Sequence, residues 1–138
     1  MTSQEKKAEL LKYREAEMEA TRLEGEITRW YSRSEKMTTM VKLVPGGSSG
    51  GRSIETAVEA IDDLAGQLGA QRAKLVSMRK AIGAAIEDVD DEKLRKVLRL
   101  KYIEGMTWER VAESMDMSVR GVTKMHGRAL AKINVSSL

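Results

Sequence analysis

Six residues near the C-terminus, Ser118, Arg120, Gly121, Thr123, Lys124 and Arg128, have types and spacing suited to binding an anion or a base edge at a helix start. On a helix, Arg120, Thr123, Lys124 and Arg128 lie on the side away from Val122. A guanidinium there can bridge the two acceptors on the major-groove edge of guanine, which makes Arg120 the first candidate for base contact. Thr123, Lys124 and Arg128 suit backbone phosphates. Gly121 leaves room for close approach, at about 1 kcal/mol of helix propensity. Ser118 is positioned to cap the helix. From Ser118 onward the chain carries Arg120, Lys124, Arg128 and Lys132 but no acidic residue. Double-stranded DNA is the ligand these features fit. The bland alternative is a solvated basic face on a three-helix scaffold that binds only protein.

Other chemistry finds little support. There is no cysteine and only one histidine, His126, so thiolate sites and His-x-x-x-His metal spacing are both missing. His126 follows Met125 on the same stretch, where a half-buried core position or a phosphate-facing one is expected. The acidic groups Asp62-Asp63, Glu87-Asp88 and Asp90-Asp91-Glu92 read as solvated faces and a helix start rather than two-metal sites. The glycines of Leu43–Ser53 precede Arg52-Ser53 where a phosphate loop needs Lys-Ser/Thr, and no buried strand leads into them. The expectation is a protein with no catalytic residue, metal or cofactor.

The basic face must be held by short helices. Asp90-Asp91-Glu92 opens a helix through Leu94, Val97, Leu98 and Tyr102, with Gly105 as the residue that ends it. Thr107 caps a second helix from Trp108 to Met115, and Ser118 caps a third that runs to about Ile133. Val111, Ala112, Met115, Met117 and Val122 are the expected packing positions, with small Ala112 where two helices cross. Asp116 occupies the turn between them, where a positive φ is expected and aspartate tolerates it better than most residues. Three short helices in this order predict a helix-turn-helix.

The stretch from Leu98 to Ile133 resembles sigma-factor region 4, and more closely the small phage-encoded regulators of the ArpU/RinA group. The matching residues are Arg99 to Gly105, Thr107-Trp108-Glu109 leading into Val111-Ala112, Met117-Ser118, and His126 to Leu130. The sequence departs from that pattern at Asp116 and at His126, where sigma region 4 usually has leucine. The resemblance implies a module that binds promoter DNA and helps switch on late or packaging genes of bacteriophages. It places the recognition helix at Ser118 to Arg128, with Val119, Arg120, Thr123 and Lys124 near the groove. No segment suited to melting a promoter accompanies it, so an accessory regulator is implied rather than a complete sigma factor.

The rest of the chain reads as long helices. Tyr13, Ala16, Ala20, Leu23, Ile27, Trp30, Met37 and Val41 alternate in steps of three and four, with a fray or break expected after Tyr31. A second helix, expected from an N-cap at Ser53, carries Ile61, Leu68, Leu75, Ile82 and Val89 at seven-residue intervals, interleaved with Leu64, Gln71, Met78 and Ala85. Between them Leu43–Ser53 reads as a glycine-rich linker. The expected fold is all-α: a long N-terminal helical hairpin or coiled coil (residues 3–89), a three-helix helix-turn-helix domain (90–133) and a tail (134–138). Leftover apolar surface on the long helices predicts a homodimer or higher homo-oligomer. A net charge of +3 is too mild to specify a partner by itself. The charged N-terminus is unlike a secretory signal and no apolar run could span a bilayer, so a cytoplasmic protein of a bacterial host, associated with the nucleoid, is expected. Two other roles fit the same pattern: a DNA-packaging protein like a small terminase subunit, and a helical adaptor docking on host RNA polymerase.

Overall fold

The structure, a computed structural model, describes the backbone of residues 1–43 and 49–138 and the side chains of residues 1–39 and 53–138. It is all-α, with helices α1 (Ser3–Leu43), α2 (Ser49–Glu87), α3 (Glu92–Leu98), α4 (Trp108–Ser114) and α5 (Val119–Lys132). Residues 44–48, the centre of the expected linker, lie outside the described residues. Among the described residues, no helix is long and apolar enough to cross a membrane.

Helix α1 opens with a capping box: Thr2 Oγ1 accepts from the Glu5 amide at 3.2 Å, and Glu5 Oε2 accepts from the Thr2 amide at 3.1 Å. It runs unbroken through the expected fray at Tyr31. Helix α2 already includes Ser49, so Ser53 is an interior residue and not the N-cap expected from sequence. A serine ahead of the helical pattern suggested the later start, but capping preference is a weak prior on where a helix begins.

Two compact units divide the chain, one of residues 18–73 and one of residues 1–17 with 74–138. In the first, Ala20 and Leu23 of α1 and Ala57, Leu64 and Leu68 of α2 are buried. Arg72 donates to Glu24 Oε1 across the two helices at 2.6 Å. Ile27, Trp30, Ile61 and Gln71 are half-buried, so much of the expected seam is packed within one chain. Val58 and Tyr31 stay exposed.

In the second unit one core joins α1, α2, α3 and α5, with Trp108 of α4 packed against it. Leu10 and Tyr13 of α1 and Ile82, Ala85 and Ile86 of α2 pack with Leu94, Val97, Leu98, Tyr102, Ala129, Leu130 and Ile133. Each fully buried aliphatic side chain contributes about 1.5–3 kcal/mol. The ends of the long helices pack on the apolar backs of α3 and α5. The segment read as a tail also takes part, since Val135 is in this core. Lys6 adds a polar tie: its ammonium donates to the Leu130 carbonyl at 2.8 Å, satisfying a carbonyl in the last turn of α5.

The short helices begin and end as their capping residues direct. Asp91 accepts from the amides of Lys93 and Leu94 at 2.9 and 3.3 Å, opening α3. Helix α3 passes into a π turn over Arg99–Ile103. The Glu104 amide bonds back to Arg99 and that of Met106 to Leu100, before Gly105 reverses the chain at φ 68°. The positive φ favours glycine at this position, and a Cβ there would stand 2.6 Å from an Arg14 guanidinium nitrogen, which a shift of that flexible side chain relieves. Gly105→Ala is expected to destabilise the protein by about 1–2 kcal/mol, seen as a lower thermal midpoint by circular dichroism. Adding Arg14→Ala should recover the steric part of that loss and leave the backbone part.

Candidate nucleic-acid interface

Thr107 and Ser118 are the N-caps expected of them. Thr107 Oγ1 accepts from the Arg110 amide at 3.3 Å, and Ser118 Oγ from the Gly121 amide at 3.0 Å. Between them Asp116 has φ 51°, the positive value that the turn was expected to need. The Met117 amide bonds to the Ala112 carbonyl at 3.0 Å and that of Asp116 to Glu113 at 3.3 Å, the paired closure of a Schellman motif with aspartate where glycine is usual. Val111, Ala112 and Val122 form the buried contact between α4 and α5, with Met115 packed against them. Met117 was expected to pack there too, but it is 37% exposed. The reversal at Asp116 carries it out of the crossing.

With Val122, Met125, His126, Ala129 and Leu130 turned inward, the opposite side of α5 is set. Ser118, Val119, Arg120, Thr123, Lys124 and Arg128 are exposed, and Gly121 is half-buried. The structure therefore gathers Arg120, Thr123, Lys124 and Arg128 on one solvent-facing surface of a single helix. Thr123 Oγ1 donates to the Arg120 carbonyl at 3.0 Å, holding the hydroxyl against its own helix. Gly121 has a packing reason as well as a spatial one. A Cβ there would stand 3.1 Å from Met117 Cε and 3.2 Å from Ser118 Oγ.

The residue least defined by sequence, His126, is a core residue at 7% exposure. Its Nε2 lies 2.5 Å from the Tyr102 hydroxyl, a pair that either neutral imidazole tautomer satisfies. Its ring meets Trp108 edge-on at 4.6 Å between centroids, and Lys101 Nζ sits 4.7 Å over the same indole. Burial, then the nearby charges of Lys7 and Lys101, pulls the His126 pKa down to about 4. Burial alone pushes Tyr102 up to about 12. His126 is thus neutral at pH 7 and adds no charge to the interface. This Tyr102–His126–Trp108 cluster, which ties α5 to the two elements before it, was missed as a unit from sequence. The available signal was that His126 stands four residues after Val122, on the same inward phase.

A capped α4, a tight turn and an α5 with one apolar and one basic side define a helix-turn-helix domain. Residues 91–133 match the family described as Sigma-70, region 4, and the domain is a DNA-binding one of that type, consistent with a transcriptional regulator. Comparison with curated proteins and with solved structures returns no match.

Asp116→Gly is expected to raise stability by about 0.5–1 kcal/mol, since glycine adopts the positive φ without strain. A rise of a few degrees in the melting midpoint would show it. His126 gives a pH prediction. Its folded pKa of about 4 lies below the ordinary 6.5, so the unfolded chain binds the extra proton between those values. The stability is whole above about pH 6.5 and is lost as pH falls towards 4, by on the order of 3 kcal/mol. Unfolding curves across that range should be steeper in pH for the natural protein than for His126→Leu.

Proposed function

We propose that this chain is a phage- or prophage-encoded, sequence-specific transcription regulator that activates late or packaging genes. The observation that carries the reading is the exposed row Arg120, Thr123, Lys124 and Arg128 on α5 of a region 4-like domain. In this reading α5 lies in the major groove. Arg120 donates to guanine, Lys124 and Arg128 neutralise phosphates, and Ser118, Val119, Gly121 and Thr123 line the approach. The resemblance to the ArpU/RinA group supports the phage setting.

The long helices hold a homodimer or higher homo-oligomer, because two half-sites multiply the affinity of one small module. Bacterial RNA polymerase is the further partner an activator needs. The role calls for no catalytic step and places the protein on the nucleoid of the host cell.

Selection of duplexes from random and phage-genomic pools at about 150 mM salt tests this reading. One enriched motif is expected. Arg120→Ala should cost about 1–3 kcal/mol and relax preference at one base pair. Lys124→Ala should weaken all sequences alike and reduce the salt slope by about one. Absence of any duplex binding would overturn the proposal. A mass measured on the complex reads the stoichiometry, a dimer favouring gene control and a large ring favouring DNA packaging.

A further inference from the structure

The first turn of α5 carries an apolar surface that the fold does not use. Met117 and Val119 are 37% and 41% exposed, flanking the helix start next to Arg120. Gly121 explains how Met117 is held: its missing Cβ leaves the space into which Met117 Cε reaches, and an added Cβ would come within 3.1 Å of that methyl. Glycine there weakens the helix by about 1 kcal/mol relative to alanine. Met117 is thereby seated along the helix start, its methyl beside Gly121, in a row with Val119 and the basic side chains.

On a surface that meets DNA, such side chains contact apolar groups only where the groove presents them. The base edges of the major groove present donors and acceptors, and thymine alone adds an apolar group, its 5-methyl. We infer that Met117 and Val119 form a thymine-methyl contact that, with Arg120, sets the sequence this helix selects. The inference rests on the DNA-binding reading and deepens it: the preferred site has thymine adjoining the base pair that Arg120 reads. Removing a methyl from its apolar contact weakens binding by about fourfold.

The experiment takes the duplex enriched from a random pool and replaces each thymine in turn with deoxyuridine, which deletes the methyl and keeps the hydrogen-bonding edge. Titration against the full-length protein should find at least one replacement that weakens binding about fourfold. The same replacement should have no effect on the Met117→Ser/Val119→Ser double variant, which already lacks the contact. Both positions are exposed, so thermal unfolding should show the variant folded. Sequence-specific binding with no sensitivity to deoxyuridine overturns the inference and leaves the DNA-binding reading standing. A methyl effect undiminished in the double variant also overturns it, by assigning the effect to groove shape. No enriched duplex at all removes both together.

Discussion

The DNA-binding end of this protein depends on apolar burial that its own three helices cannot complete. A cluster of roughly 40 residues is at the lower limit of independent folding, because too little of its surface can be taken out of water. Here the start of α1 and the end of α2 supply the missing side of the core, through Leu10, Tyr13, Ile82, Ala85 and Ile86. Lys6 completes the attachment at the C-terminal end of α5. The helix that presents the basic row shares its core with α1 residues more than a hundred positions earlier in the chain and with α2 residues much nearer to it.

That support leaves the outer face of α5 free to be polar. Arg120, Lys124 and Arg128 do no structural work visible in the core, and the turn before them is set by local chemistry. The Schellman closure at Asp116 and the cap at Ser118 fix where α5 begins. The Tyr102–His126 pair fixes how it sits, placing a satisfied polar contact where a leucine would supply only apolar packing. A buried polar pair of this kind is directional, so it ties α5 to the preceding helical segment in one arrangement.

Much of the domain could be read without coordinates because its signals are local. Asp91, Thr107 and Ser118 cap the helices that follow them, and Gly105 and Asp116 take the positive φ that a chain reversal requires. The inward phase of Val111, Ala112 and Val122 follows from helical periodicity. Met117 escaped this reasoning because periodicity does not cross a turn: the phase resets at Asp116. Val135 escaped it because a short segment after a helix carries no period at all.

The sequence by itself determined the three short helices, their caps, the reversals between them and the side of α5 that carries charge, since all of these depend on residues within a turn or two of one another; the bounds of the two long helices did not follow from it. Only the tertiary structure decided which compact unit the ends of the long helices join, that His126 is neutral and buried, and that Met117 lies against Gly121 on the exposed side. Those outcomes depend on which surfaces meet across the chain. Burial and the pKa it shifts arise from neighbours that spacing alone does not bring together.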